Sequence, residues 1–300
     1  MGNIAERLGS TKNIRPNRPG FLTFEITNNF SVFDVGKHPQ QIPGKAEALC
    51  KASLRSFEIA RLCGIKTHFD RQISATEFSV HECLVPNAPM LSGMAIGRVL
   101  PCECIWRDRV FGSLYRDFVS GKRDPKEYGL TAKDVEKPGA KLPKLLIEYT
   151  TKFERIDRPL TREEARGLME LTKSKLDELE SILKRAVYAS NSIYELAGYI
   201  SADGKLEFAL CFDNTLMIVD YFGNPDENRL VKISKNGRVM HFSKEFLRQY
   251  LIEIGFKKLV DEARALGAPD PAYPDVPDAI VKEASRRYTT VANAYTRIPA

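Results

Sequence analysis

The sequence of 300 residues predicts an α+β fold in which antiparallel sheets and packed helices form two domains. Two observations lead to this prediction. Short runs rich in β-branched and aromatic residues, with one helical segment among them, fill the first hundred positions. Farther along the chain, strand-like runs alternate with long helical patterns. We therefore predict a sheet domain over residues 1–100 and a larger α+β domain over residues 101–300.

The N-terminal domain begins with a turn-rich segment, residues 8–15, which contains Gly9 and Lys12. A glycine-containing loop with a lysine beside a strand can surround phosphate groups with backbone N–H donors and one ammonium. A helix is predicted from Ala46, because apolar residues recur there at helical spacing, and Gly64 is a suitable helix end. Strands are predicted at residues 21–27, 66–68, 77–85 and 98–106.

Residues 107–116 combine three arginines with Gly112 and Ser113. Guanidinium groups bind carboxylates and phosphates bidentately, and a glycine lets the backbone approach a ligand closely. The segment therefore indicates an anion-binding site. The start of a solvated helix is the alternative, and the composition alone leaves both interpretations open.

Residues 121–143 are rich in lysine, proline and glycine, so we expect a surface segment there, followed by a strand at residues 145–149. Thr161 and Glu164 form a capping-box pair that opens a predicted helix extending to Ala189. The charged residues of this helix are expected to face solvent and its leucines to face the core.

Two further helices are predicted near the C-terminal end. Ser243 can cap a helix over residues 244–266, and this helix places Lys244 and Arg248 on one face, because residues four apart are neighbours. Pro277 can begin the last helix, since proline is well tolerated in the first turn.

A hairpin lies at the centre of the C-terminal half. Two strand-forming runs, residues 205–212 and 215–221, flank a pair at residues 213–214 that suits a two-residue turn. With that turn, Glu207 lies directly opposite Asp220, so two carboxylates repel each other on one face. A hard divalent cation such as Mg²⁺, bound by carboxylates and by nucleotide phosphates, would relieve this repulsion.

Lys205 lies two residues before Glu207 and therefore on the same face of the predicted strand. Its ammonium could bind a phosphate or neutralise a carboxylate. A solvated polar face of an ordinary hairpin is the alternative interpretation, and the hairpin sequence alone does not decide between the two.

Composition narrows the classes of ligand. The net charge is +6, from 45 basic and 39 acidic residues spread along the chain, which suits small phosphorylated ligands better than nucleic acid.

The six cysteines lack the paired spacing of a zinc site, and we expect them to be reduced thiols of a cytoplasmic protein. No signal peptide is recognised, and no apolar run approaches the roughly 20 residues of a membrane span. We therefore expect neither a membrane nor a nucleic-acid partner.

Several short motifs occur in the order found in one known family. They are Ser31-Val32-Phe33-Asp34, Ile42-Pro43-Gly44-Lys45, Arg107 with Gly112-Ser113-Leu114, Lys152 with Asp157, Asp203 with Lys205, Glu207 and Phe208, Asp220 at the matching distance, Pro225-Asp226 with Arg229, Lys244 with Arg248, and Ala284-Ser285 with Tyr288. Together they resemble the SAICAR synthetases, the phosphoribosylaminoimidazole-succinocarboxamide synthases. Each motif is weak by itself, but their shared order over nearly the whole chain is specific.

The resemblance implies an ATP-grasp or kinase-like fold of two domains, the first of which covers the nucleotide. It also implies an ATP-dependent ligase of de novo purine biosynthesis. Such an enzyme joins 5-aminoimidazole-4-carboxylate ribonucleotide to L-aspartate through an acyl phosphate, with ATP and Mg²⁺ as cofactors. Small-molecule substrates are thus the implied partners, and a homo-oligomer stays open.

The resemblance also implies roles for individual residues. The implied catalytic residues are Arg107, Lys205, Glu207 and Asp220, and the last two are the implied ligands of Mg²⁺. The implied nucleotide site consists of Lys12, Val99, Pro101, Lys152 and Lys205. The implied substrate site consists of Arg107, Ser113, Asp226, Arg229, Lys244 and Arg248.

Some positions depart from the family pattern, namely Ser10, Asn13, Arg15, Asp108 and Tyr221. These departures bear on metal number and substrate choice, and they keep two alternatives open. One is a paralogous ligase acting on a related azole carboxylate, and the other is a kinase-like phosphotransferase. The second alternative needs a catalytic base for an alcohol. No His-Arg-Asp motif supplies one, and we expect the four histidines to be structural or on the surface.

Overall fold

The computed structural model describes residues 6–154 and 157–299. An antiparallel sheet of five strands, in the spatial order β1-β2-β3-β5-β4, forms the N-terminal part. Its strands are Arg7–Leu8 (β1), Lys12–Arg18 (β2), Phe21–Ile26 (β3), Phe69–Gln72 (β4) and Glu77–His81 (β5). Leu22, Phe24 and Ile26 alternate along β3 and are buried, so the strand prediction at residues 21–27 is confirmed.

Two predictions for this sheet are wrong in detail. Residues 12–15 belong to β2 rather than to a loop, because they pair with β3. The strand predicted at residues 66–68 lies instead at Phe69–Gln72, and Thr67 forms only an isolated bridge with Ile218. The residues of β2 and β4 are mostly polar and partly exposed. These strands pair through backbone atoms, so their sequences show no alternating apolar pattern that would predict a strand.

Seven strands form the second sheet, in the order β12-β11-β9-β6-β7-β8, with β10 paired to β9 beyond the end of β11. They are Gly97–Arg109 (β6), Lys141–Thr151 (β7), Pro159–Leu160 (β8), Ile200–Cys211 (β9), Leu216–Val219 (β10), Asn228–Ile233 (β11) and Val239–His241 (β12). The central strands β6 and β9 are the longest, and they carry the candidate site residues.

The hairpin of β9 and β10 has a different register from the predicted one. Glu207 pairs with Val219. The backbone N–H of Cys211 donates to the carbonyl oxygen of Thr215 at 2.9 Å, so the turn between them has three residues, 212–214. Asn214 adopts a φ of 65°, which lengthens the turn. Asp220 therefore lies beyond the end of β10, with a φ of 63°, and is not directly opposite Glu207.

The described residues contain seven α-helices. They are Lys45–Leu62 (α1), Gly112–Val119 (α2), Arg162–Met169 (α3), Lys173–Leu196 (α4), Glu245–Glu253 (α5), Phe256–Ala265 (α6) and Asp278–Arg297 (α7). Helix α1 covers the first sheet and packs against α7 and α4. None of the helices in the described residues is long and apolar enough to cross a membrane.

The single helices predicted over residues 161–189 and 244–266 are wrong, because each segment forms two helices. Glu170, with a φ of 57°, separates α3 from α4, and Gly255, with a φ of 83°, separates α5 from α6. A left-handed residue ends a helix by redirecting the chain. The predicted capping box of Thr161 is confirmed at the start of α3.

Strand β6 separates the core from the candidate site. Cys102, Cys104 and Trp106 are buried in the main hydrophobic cluster, which includes residues of both sheets and of α1, α4 and α7. Glu103 and Arg107 alternate with them and lie on the opposite face. The expectation that Cys102 and Cys104 are small core residues is confirmed. The domain boundary at residue 100 stays a prediction, since this cluster spans it.

Candidate active site

Two cavities lie beside the central strands. The larger of these two, with a volume of about 470 Å³, lies over the sheet where β11, β9 and β6 are adjacent, and we call it the larger cavity. Its wall is mostly charged. The cationic lining residues are Lys205, Arg229, Lys244 and Arg248, and the acidic ones are Asp34, Glu103, Asp157, Asp203, Asp226, Glu227 and Glu245. A wall with both signs of charge fits a polar ligand that carries several ionised groups.

The register of β6 with β9 places charged residues opposite one another. Glu103 pairs directly with Glu207, and Arg107 pairs directly with Asp203. The carboxylate opposite Glu207 is therefore Glu103 rather than Asp220. Lys205 lies between the two glutamates, with its Nζ 2.6 Å from Glu103 Oε1 and 3.5 Å from Glu207 Oε1. A lysine thus neutralises the opposed carboxylates.

Lys205 is surrounded by acidic groups. Its Nζ also lies 3.5 Å from Glu227 Oε2. Burial acts to lower the pKa of Lys205, but Glu227, Glu207 and Glu103 outweigh it and hold the pKa well above the usual value. Lys205 is therefore a permanent cation at the floor of the larger cavity.

A smaller cavity of about 220 Å³ lies between the two sheets. Its lining is mostly apolar, with an ionic end. The apolar lining residues are Ile14, Leu22, Phe24, Val80, Cys83, Val85, Val99 and Val219, and the ionic end consists of Lys12, Lys152, Glu207 and Asp220. Lys152 Nζ lies 2.5 Å from Glu207 Oε1, and Lys12 is paired with Asp220. The structure brings Lys12, Lys152, Glu207 and Asp220 to one end of this cavity, and the ligands of these residues stay predictions.

Asp220 is fixed from several sides. Burial acts to raise its pKa, but Lys12 and Lys152 outweigh burial and hold the pKa below its usual range. His68 Nε2 lies 2.9 Å from the backbone oxygen of Asp220, and burial lowers the pKa of His68 to about 3. A neutral His68 can donate this hydrogen bond and stabilise the left-handed backbone of Asp220, so the expectation of a structural role fits this histidine.

Three predicted site residues lie behind the cavity walls. Of the described residues that line either cavity, none is Pro101, Arg107 or Ser113. Arg107 donates from Nε to Glu148 Oε2 at 2.6 Å and from Nη2 to Ser113 Oγ at 3.0 Å. Arg107 and Ser113 are therefore neighbours, but a ligand in the larger cavity meets other side chains first.

Asp226 lines the larger cavity, yet both of its carboxylate oxygens already have partners. Lys45 Nζ lies 2.6 Å from Oδ2, and the hydroxyl of Tyr288 donates to Oδ1 at 2.6 Å. Lys45 is fully buried, so this ion pair connects the start of α1 to the cavity floor. A substrate-binding role for Asp226 stays a prediction.

Sequence reasoning missed several acidic residues of the larger cavity. Asp203 was named only as part of a family motif, although its spacing from Lys205 puts both side chains on one face of the strand. Glu103 required the register of β6 with β9, and Glu245 required the docking of α5. Glu227 lies near Lys205, and burial, opposed by Lys205, raises the pKa of Glu227 to about 7.

Three of the positions that depart from the family pattern, Asn13, Arg15 and Tyr221, have side-chain partners in the structure. Asn13 donates to Glu25 at 3.1 Å, and Arg15 donates to Glu77 at 2.6 Å, both within the first sheet. The hydroxyl of Tyr221 lies 2.9 Å from Thr11 Oγ1, at the ionic end of the smaller cavity. These contacts explain how the substituted residues are accommodated.

The carboxylates of Glu207 and Asp220 could hold a hard divalent cation. Among the described residues, no group of three or more acidic, histidine or cysteine side chains is arranged to bind a metal. Mg²⁺ does not require such a group, because one or two carboxylates together with nucleotide phosphates are its usual ligands. The donor set of the smaller cavity fits this ion.

The fold and these cavities together define a class of protein. Two charged sites, one with an apolar extension, meet at Lys205 and Glu207 on the central strand of an α+β fold. This arrangement defines an enzyme with adjacent sites for two ligands. The family model for SAICAR synthetase matches residues 8–262, so the chain belongs to the SAICAR synthetase family, and it is a ligase.

Relatives of known name support the same conclusion. The phosphoribosylaminoimidazole-succinocarboxamide synthase of Thermoplasma volcanium is 36% identical over 269 residues, which cover 89% of this chain and 90% of that protein. The synthase of Thermoplasma acidophilum is 36% identical over 280 residues, which cover 92% of each chain. The resemblance inferred from the motifs is therefore confirmed.

Solved structures share the fold. The SAICAR synthase from Saccharomyces cerevisiae, complexed with SAICAR, has a TM-score of 0.73 at 19% identity and covers 98% of this chain and 95% of its own. A SAICAR synthetase in complex with ADP has a TM-score of 0.65 at 22% identity, with coverage of 90% and 100%. The predicted α+β, ATP-grasp-like fold is confirmed.

Proposed function

We propose that the chain joins the carboxylate of 5-aminoimidazole-4-carboxylate ribonucleotide to the amine of L-aspartate at the expense of ATP. The meeting of the two cavities at one pair of side chains carries this proposal. Glu207 lines the smaller cavity, Lys205 lines the larger one, and their charged atoms are 3.5 Å apart. Ligands in the two cavities would therefore have reacting groups next to each other.

The smaller cavity is the proposed nucleotide site. Its apolar wall suits a purine base, and Val99 contributes to that wall. The register of β6 with β9 shifts between Val99 and Glu103, beside this wall. Lys12 and Lys152 at the ionic end suit the phosphates. One relative has been solved with ADP, which supports this choice.

The larger cavity is the proposed ribonucleotide and aspartate site. Arg229, Lys244 and Arg248 in its wall are donors that suit a phosphate monoester. Lys205 lies toward the nucleotide site and suits the carboxylate to be activated. A relative has been solved with SAICAR, the product of this reaction, which supports the substrate class.

The chemistry requires activation of a carboxylate, because a carboxylate at neutral pH is a poor electrophile. One of its oxygens attacks the γ-phosphorus of ATP, ADP leaves, and an acyl phosphate forms. The uncharged amine of aspartate then attacks the acyl carbon, phosphate leaves, and the nitrogen loses a proton. Lys12, Lys152 and Lys205 position the phosphates and neutralise their charge, so catalysis is mostly orientation and electrostatics.

Mg²⁺ is the proposed metal of this site, with Glu207 and Asp220 as its protein ligands. When bound, the ion supplies positive charge to the terminal phosphates. Each carboxylate is paired with a lysine. A magnesium nucleotide would bring a cation for the carboxylates and phosphates for the lysines, so each of these side chains would exchange its present partner for one on the ligand.

The cytoplasm is the proposed location of the enzyme. All six cysteines are free thiols, and four of them are buried. Free thiols persist in a reducing compartment, where de novo purine synthesis would find its substrates.

A coupled ADP-release assay with product analysis tests the proposal. MgATP, the imidazole carboxylate and L-aspartate should all be required for steady turnover, and the products should include ADP and phosphate. L-Aspartate should be preferred to L-alanine as the amine substrate. Release of AMP, or steady ADP release without the imidazole carboxylate, would contradict the ligase mechanism. Turnover with a different azole carboxylate alone would favour the paralogous ligase.

A further inference from the structure

Asp203 lies between two arginines on adjacent strands. In the sheet it is directly opposite Arg107 of β6 on one side and Arg229 of β11 on the other. Arg107 Nη1 lies 3.9 Å from Asp203 Oδ2, and Arg229 Nε lies 3.4 Å from Asp203 Oδ1. The register of β6, β9 and β11 therefore places both arginine side chains beside Asp203.

Glu245, at the start of α5, continues this arrangement. Its Oε2 lies 3.4 Å from Arg229 Nη2 and accepts a hydrogen bond from Arg248 Nη1 at 2.9 Å. Positive and negative side chains therefore alternate in one line that crosses from the sheet to the helix. We call it the charge chain, and its members are Arg107, Asp203, Arg229, Glu245 and Arg248.

The charge chain orients the guanidinium group of Arg229 but does not use all of its hydrogen-bond donors. Within the described chain, Arg229 Nε and Asp203 Oδ2 are buried and have no hydrogen-bond partner. The guanidinium also lies against Gly112, because a Cβ built there would be 2.8 Å from Arg229 Nη2. Arg229 and Arg248 both line the larger cavity, so guanidinium groups oriented in this way face an anion that enters it.

We propose that Asp203 and Glu245 are positioning residues that orient Arg229 and Arg248 for the phosphate of a phosphate-monoester substrate. This inference rests on the proposed function, which places the ribonucleotide in the larger cavity. Arginine has a long side chain with many rotamers, and ordering it before the ligand arrives removes an entropic cost from binding. Burial acts to raise the pKa of Glu245, but Arg229 and Arg248 outweigh it and lower the pKa, so the carboxylate is ionised at neutral pH.

A positioning role and simple charge balance predict opposite changes in anion affinity when one of the carboxylates is neutralised. If the two carboxylates only offset the charge of the arginines, neutralising one of them should strengthen the binding of an anion. If they orient the guanidinium groups, neutralising one should weaken that binding. The direction of the change therefore distinguishes positioning from charge balance.

Calorimetric titration with ribose 5-phosphate tests the inference, with ribose as the probe that lacks a phosphate. Glu245→Gln and Asp203→Asn should each bind ribose 5-phosphate about tenfold more weakly than the unmodified protein, because two arginines lose their restraint. Glu253→Gln, an exposed residue at the end of the same helix, is the matched control and should not change binding. Thermal unfolding of each variant measures whether the fold is retained.

A double-mutant cycle shows whether Glu245 acts through Arg248. Arg248→Ala should weaken binding less in the Glu245→Gln background than in the unmodified protein, because the two residues form one unit. Additive effects, or equal or tighter binding by both carboxylate variants, would overturn the inference while leaving the ligase reaction untouched. Absence of ribose 5-phosphate binding by the unmodified protein would also overturn it. The ADP-release assay tests the proposed function separately, since it measures chemistry and not phosphate affinity.

Discussion

Glu207 and Asp220 line the same cavity, but each is paired with a different lysine. Glu207→Gln or Asp220→Asn should lower turnover roughly 100-fold, because the proposed nucleotide site loses one of the two carboxylates proposed to bind Mg²⁺. Steady-state kinetics at saturating Mg²⁺ would measure the loss. Asp213→Asn, on the exposed turn of the same hairpin, is the control and should retain activity. Normal turnover by either site variant would remove the metal role.

Glu227 makes stability depend on pH. Burial raises its folded pKa to about 7, above the value near 4.5 expected in the unfolded chain. Between these two values the folded protein keeps the proton and the unfolded chain releases it, so this carboxyl lowers stability as pH rises.

Glu227→Gln should abolish that part of the pH dependence. At pH 8, without nucleotide, the variant should be more stable than the unmodified protein by on the order of 1–3 kcal/mol, and at pH 4 the two should be similar. Denaturant unfolding across this range would measure the difference. A constant difference at both pH values would contradict the raised pKa.

Helix α2 has a glycine with left-handed backbone at each end. One of these glycines contacts Arg229 and the other does not, so substitutions at the two positions form a test and its control. Gly112 has a φ of 57° and lies against Arg229, whereas Gly121 has a φ of 73° and open space around it. Gly112→Ala and Gly121→Ala should each cost about 1 kcal/mol of stability through backbone strain.

Only Gly112→Ala should also raise the KM for the ribonucleotide, because its new methyl group displaces the guanidinium of Arg229. Urea unfolding and steady-state kinetics on both variants would separate the two effects. An equal rise in KM for both variants would show that the contact with Arg229 has no role in substrate binding.

At the scale of the whole molecule, the two sheets depend on one core. Helix α1 lies in the chain between β3 and β4 of the first sheet but packs against α7, and its buried residues join the cluster that also contains α4. A fragment of residues 1–96 would expose the apolar face of α1 to water. It should therefore fail to fold alone, whereas the full chain should unfold in one cooperative transition.

Circular dichroism of the fragment and calorimetry of the full chain would test this prediction. Native-like, cooperative melting of the fragment would show that the domain boundary at residue 100 separates independent folding units.

Much of the architecture is encoded locally. Apolar residues at helical or alternating spacing were enough to predict α1, β3, β6 and β9, because each of these elements buries one face. The breaks at Glu170 and Gly255 were missed, since the apolar pattern continues across both of them. Strands β2 and β4 were misplaced for the opposite reason, because pairing through backbone atoms leaves little trace in side chains that face solvent.

The sequence by itself determined the family, the fold class and several of the charged residues that line the two cavities, including Lys12, Lys152, Lys205, Glu207 and Asp220. Only the tertiary structure decided which of them are neighbours. A shift of one residue in the β9–β10 register moved Asp220 away from Glu207, and the pairing of β6 with β9 put Glu103 in its place. Residue types are local properties of a chain, whereas register depends on turn length and on packing between distant segments.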